Sequence, residues 1–228
     1  MFDSDLSFKA QRQKVIAKTR QKAGWVLRVF RDRSIDFLRR MWKSLILPHQ
    51  DYCSILWSPV SHKGDKLQQE GPLRSFTKRA WGISGQNYWD RLRTFRLTSM
   101  ERRVERYKVL YLYKIENGLV PNCGLDLYDG PDTRSGDSFT TGSLRSNSES
   151  IKTKLRDSLK YNGVRIYNAI PRYIRDIKND LPEFKKKLDT FLNKIPDQPS
   201  IPGLSPGAKC LYGNESNSII DWIRLLNL

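Results

Sequence analysis

Apolar residues return at the helical period in segment after segment of this chain, and that recurrence points to a helix-rich fold. Residues 34–47 show it most plainly. On a wheel of about 100° per residue, Ile35, Leu38, Met41, Trp42, Leu45 and Ile46 share one arc, with Arg39, Arg40 and Lys43 on its flank. Ser34 is placed to cap this helix, and Pro48, lacking an amide proton, to end or kink it. Thr98-Ser99-Met100-Glu101 has capping-box spacing and opens a helix predicted to reach Glu116 and stop at Asn117-Gly118. Met100, Val104, Tyr107, Tyr111 and Ile115 form its inner stripe. Arg102 and Arg106 lie opposite, and Val109 and Tyr113 continue that opposite face. Its basic first turns are therefore expected in solvent and its last turns in a core.

The remaining segments extend the pattern. Ser7 would cap a helix over Phe8–Ala23 that buries Phe8, Val15, Thr19 and Ala23, with Gly24 ending or bending it and Trp25–Phe30 buried beyond. Residues 49–57, HQDYCSILW, read as a short helix carrying Tyr52, Ile55, Leu56 and Trp57 inward, followed by a turn over 58–64. Residues 65–81 read as a helix interrupted at Gly71-Pro72, with Phe76, Ala80 and Trp81 inside and Arg74, Lys78 and Arg79 wet. A further helix is predicted over Tyr88–Phe95. Pro182 suits the first turn of a helix that buries Phe184, Leu188, Phe191, Leu192 and Ile195, and Ile219–Leu226 reads as a docking helix. The fold class is mainly α: a helical bundle over residues 1–121, a flexible loop or linker over 122–150, and a smaller, loop-rich, partly helical region over 151–228 whose Pro- and Gly-rich stretch, 196–213, runs extended.

Charge is divided unequally between these parts. Residues 1–121 hold 25 Lys and Arg against 11 Asp and Glu; residues 122–228 hold 16 against 13. A positive excess concentrated in one half favours a polyanionic partner, nucleic acid before an anionic membrane surface. No apolar run reaches membrane-spanning length and residues 1–24 lack a secretory h-region, so an intracellular protein, nuclear or cytoplasmic, is expected. Cys53, Cys123 and Cys210 are dispersed and read as reduced thiols. His49 and Cys53, four apart, do not make a zinc site by themselves, and no phosphate-cradling GxxxxGK[ST] or GxSxG nucleophile turn occurs.

A set of segments, in order, carries a family likeness: SDLSFKAQ (4–11), WVLRVFRDR (25–33), LILPHQDYCSILWSP (45–59), LRSFTKR (73–79), YWDRLRTFRLTSMERRVERYKVLYLYKIENGLVPN (88–122), NAIPRYIR (168–175), FKKKLDTFL (184–192) and IPDQP (195–199). Together they resemble the C-terminal part, thumb and beyond, of reverse transcriptases from non-LTR (LINE-type, jockey-like) retrotransposons. In that family a Tyr-x-Asp-Asp turn of the palm precedes these segments and binds the catalytic metals. This chain has no adjacent Asp pair. The resemblance therefore implies a fragment that is not an enzyme by itself and holds no cofactor, the magnesium of an intact polymerase belonging to its palm. It departs from the family at Gly71-Pro72, where relatives continue a helix, and in lacking a C-terminal Cys/His knuckle.

The function implied is sequence-independent binding of a template–product duplex, RNA–DNA or DNA, through phosphates. The residues proposed for it are Lys14, Lys18, Arg28, Arg31, Arg33, Arg39, Arg40 and Lys43 in the first segment, and Lys78, Arg79, Arg91, Arg102, Arg103 and Arg106 in the middle one. Tyr88, Trp89, Phe95 and Tyr107 are candidates for base stacking, with burial the better reading of most. The alternative is a non-enzymatic orphan or domesticated retroelement fragment that binds a protein partner, or itself, through surface left bare by the missing palm.

Overall fold

Short polar side chains set where several helices begin. The Phe37 amide donates to Ser34 Oγ at 3.4 Å, the Asp90 amide to Asn87 Oδ1 at 3.0 Å, and the Glu183 amide to Asp180 Oδ1 at 2.8 Å. The computed structural model describes residues 8–58, 63–122, 124–126, 137–141, 148, 151, 155, 158–198 and 217–227. Among these the protein is mainly helical and forms no strand. The helices are α1 (Lys9–Val29), α2 (Ile35–Met41), α3 (Leu47–Asp51), α4 (Ser54–Trp57), α5 (Lys63–Thr77), α6 (Tyr88–Phe95), α7 (Met100–Glu116), α8 (Val164–Ala169), α9 (Arg172–Arg175), α10 (Leu181–Leu192) and α11 (Ile219–Leu226). π-Helical turns at Trp42–Ile46 and Leu159–Gly163 lead into α3 and α8.

Two compact units divide between Val104 and Glu105, inside α7. The sequence reading puts its boundary after residue 121. The difference arises because Val109, Leu112 and Tyr113, on the second half of α7, are buried in the second unit's core.

In the first unit, Val26, Leu38, Trp42, Ile46, Leu73, Phe76, Leu92 and Phe95 form the main core, and Trp57, Met100 and Val104 a smaller one. Three expected breaks do not occur. Gly24 sits inside a continuous α1, because its cost of about 1 kcal/mol relative to alanine is small beside the face formed by Ile16, Thr19, Ala23 and Val26. Pro72 lies inside α5 and is buried among core positions. Pro48 does not end its helix. The chain widens before it into the π-turn, where the Leu47 amide donates to the Trp42 carbonyl, and another α-turn follows. Large apolar side chains expected inside lie outside: Trp25 is 48% exposed, Tyr52 76%, Leu56 64% and Trp81 63%.

The start of α7 also differs from the expected capping box. Ser99, not Thr98, accepts the Arg102 amide, at 3.2 Å, and Glu101 pairs with Lys66 at 2.6 Å. Glu70, buried on α5, takes the Met100 amide at 2.9 Å and also accepts the Tyr88 hydroxyl.

In the second unit Tyr113 stacks on Phe184 with centroids 3.9 Å apart, in one buried cluster with Val164, Ile166, Tyr167, Leu188 and Trp222. Glu105 receives the Ser218 hydroxyl at 2.6 Å and the Ile219 amide at 2.8 Å, holding the first turn of α11. The Tyr167 hydroxyl donates to Glu116; burial, then the carboxylate's charge, pushes its pKa up. Part of the expected linker is built into this unit. Phe139 is fully buried, its carbonyl accepts Asn168 Nδ2 at 2.9 Å, and Ser138 Oγ accepts Arg175 Nη1 at 3.0 Å. Most of the rest of 122–150, the capping role given to Ser7, His62, and the extended stretch beyond Gln198 lie outside the described residues.

Candidate nucleic-acid interface

The structure sorts the fourteen proposed cations by what their side chains meet. Arg91, Arg102 and Arg103 are buried, which corrects the expectation of exposed basic first turns on α7. Arg91 closes the end of α5. It donates to the Gln86 carbonyl at 2.5 Å, to Thr77 Oγ1 at 3.3 Å and to the Arg74 carbonyl at 3.4 Å. Desolvation lowers its pKa, opposed by Tyr88 and aided by Arg74. Arg103 reaches Asp51 at 3.2 Å, the Thr98 carbonyl at 2.8 Å and Gln50 Oε1 at 3.4 Å. Arg106, in the second unit, forks onto Asp189 at 2.5 and 2.9 Å. Arg39 pairs with Asp36 at 2.6 Å. Arg33 turns back onto the carbonyls of Leu27, Phe30 and Asp32.

Lys14, Lys18, Arg28, Arg31, Arg40, Lys43, Lys78 and Arg79 remain exposed, all in the first unit, and none of them pairs with a carboxylate among the described residues. α1 organises many of them through its two flanks. On one flank, Lys14 and Lys18 line a shallow cleft of about 210 Å³ with Gln11, Val15, His49 and Tyr52. On the other, Arg20, Gln21, Gly24, Leu27 and Arg28 line a cleft of about 500 Å³ with Arg33 and Arg79. The structure thus brings Arg28, Arg33 and Arg79 together and adds Arg20, which the sequence reading missed. The signal for it is the helical spacing of Arg20, Gly24 and Arg28, which a helix ending or bending at Gly24 conceals.

His49 reports the field on the lysine flank. Its pKa is lowered from the ordinary 6.5 by partial burial first, then by repulsion from Lys22 and Lys18. A base with a depressed folded-state pKa contributes stability present above its unfolded value, about 6.5, and lost as pH falls from there through the folded value. Phosphates settling on Lys18 and Lys22 offset the repulsion, so the His49 pKa is expected to rise on adding an oligonucleotide. An imidazole NMR titration checks this; an unchanged pKa at saturation removes this flank from the interface.

Of the four aromatics considered for stacking, Tyr88 and Phe95 are buried, and Trp89 and Tyr107 are half-buried against core clusters. Arg74 lies over Tyr88, 4.5 Å from its ring centroid. Cys53 is exposed, in a left-handed turn after α3, so it does not share a helix face with His49. Among the described residues no His, Cys, Asp and Glu group has metal-binding spacing, and no helix is long and apolar enough to cross a membrane. No protein-family model, curated protein or solved structure matches this chain.

Proposed function

We propose that the first unit is a sequence-indifferent nucleic-acid-binding module, the thumb-like part of an RNA-directed DNA polymerase of the non-LTR retrotransposon kind. In this reading the chain holds the template–product duplex, and the palm's Asp pair, with its magnesium, does the chemistry. The observation that carries it is the set of solvent-facing cations, Lys14, Lys18, Arg28, Arg31, Arg40, Lys43, Lys78 and Arg79, without carboxylate partners among the described residues. A stability role alone does not call for them, since unpaired like charges on a helical surface repel one another. Helix-borne cations suit phosphate contact, which positions without reading sequence.

The test is a binding titration across salt. With about six phosphates neutralised, log K should fall with log salt at a slope near −5 on duplex DNA, alike for unrelated sequences. A flat response, or a strong preference for one sequence, sinks the proposal.

One observation favours a second reading, the protein-interaction module. Tyr52 and Leu56 expose apolar surface together on and before α4, and Trp25, Val29 and Trp81 do so elsewhere in the unit. Light scattering that reveals tight self-association, together with no retention on heparin, supports that reading over the first.

A further inference from the structure

We propose that the cleft lined by Arg20, Arg28, Arg33 and Arg79 is a pocket for a multiply charged phosphate at the end of a nucleic-acid strand. The inference rests on the nucleic-acid reading above and sharpens it from a track to a point of attachment.

Four guanidinium groups line this one cleft, and its lining contains no carboxylate. The C-terminal carbonyls of α1 bring roughly −0.5 of a charge to this region. Arg33 is committed to those carbonyls, with its Nη atoms on Leu27 and Phe30. The surplus of positive charge therefore sits on Arg20, Arg28 and Arg79. An internal phosphodiester carries a single negative charge, too little to match it. A terminal phosphomonoester carries about −1.5 to −2 at neutral pH and has three acceptor oxygens, which fits better.

The positive groups converge from α1, the α1–α2 connection and the segment after α5. Arg20 and Arg28 sit two turns apart on α1, and Arg20 Nη2 lies 3.4 Å from where a Cβ on Gly71 of α5 would stand. Arg28 Nε donates to the Gly24 carbonyl at 3.4 Å, which leaves its Nη atoms for a ligand. The Arg33 carbonyl accepts the Trp81 amide at 3.1 Å, tying the segment that carries Arg79 to the α1–α2 connection.

Gly24 lines the cleft in the middle of a helix, where glycine is unfavourable, and a Cβ there would meet nothing within 4 Å. Packing therefore leaves room for a side chain here, and a bulky one would occupy the cleft. That room supplies a variant which fills the pocket without altering charge.

The experiment uses the full chain and two 3′-labelled single strands of one sequence, one 5′-phosphorylated and one 5′-hydroxyl, with inorganic pyrophosphate as competitor. The phosphorylated strand should bind about tenfold tighter, the effect of one added charge-assisted contact. Pyrophosphate should erase that preference. Gly24→Leu, which fills the cleft without altering its charge, should remove the preference. Arg79→Gln should weaken both strands and remove the preference as well. Gly24→Ala, which restores helix propensity with little bulk, should keep it and shows that the helix tolerates substitution.

Equal binding of the two strands with a steep salt slope overturns the pocket and leaves the nucleic-acid reading standing. A preference that survives Gly24→Leu overturns the assignment to this cleft. Binding of pyrophosphate with no binding of either strand overturns the strand end as ligand and the nucleic-acid reading with it.

Discussion

Truncating Glu70 to alanine is expected to destabilise the first unit by about 3 kcal/mol, because two buried donors lose their acceptor in one step. The Glu70 carboxylate takes the Met100 amide and the Tyr88 hydroxyl, and all three residues are buried. It thereby joins α5 to the first turns of α6 and α7. The Met100 amide is one of the orphan donors at a helix start, where negative charge is favourable as well as an acceptor. Tyr88→Phe removes the hydroxyl alone and should cost about 1 kcal/mol. The double variant should be less destabilised than the sum of the two, since the partners share one interaction. Urea unfolding of the three variants measures this. A Glu70→Ala loss below about 1 kcal/mol, or strict additivity with Tyr88→Phe, refutes the bridging role.

Such bridges show which parts of the fold were legible in the sequence. Helix existence was, because it is written in local periodicity: α6 spans the predicted Tyr88–Phe95, and α10 buries the predicted Phe184, Leu188, Phe191 and Leu192. Local capping by Ser34 was legible too. Breaks were over-read. Gly24, Pro48 and Pro72 each carry a local penalty, yet burial along α1 and α5 and a π-turn ahead of α3 absorb it. The fate of individual charges was least legible. Arg106 looks like the outer face of an isolated helix, and Arg103 like a solvent-facing cation at its start. Their carboxylate partners, Asp51 and Asp189, stand 52 and 83 residues away. A helical wheel contains no information about a neighbour that distant. The same blindness hid the arginine cleft, half of whose cations come from outside α1.

The corrected assignment of Arg103 carries the second large effect. Arg103→Ala should destabilise the first unit by about 3 kcal/mol, since it removes the ion-pair partner of the mostly buried Asp51 and a donor to the Thr98 carbonyl. Lysine at this position should recover only part of the loss. A single ammonium cannot match the fork that spans Asp51, Gln50 and Thr98. Nucleic-acid affinity separates this residue from the surface cations. Measured well below its melting temperature, Arg103→Ala should bind DNA within about twofold of the parent, as expected for a guanidinium that meets protein groups and not phosphates. The double variant Lys14→Gln, Lys18→Gln should behave oppositely. Its stability should stay within about 0.5 kcal/mol, while its salt slope shrinks by about 1.8, the share of two phosphate contacts. This crossed pattern is specific: stability follows the buried arginine and affinity follows the exposed lysines. A folded Arg103→Ala that loses affinity as steeply as the lysine pair means that this arginine leaves Asp51 to meet the phosphates, and the division between structural and binding cations fails at its central residue.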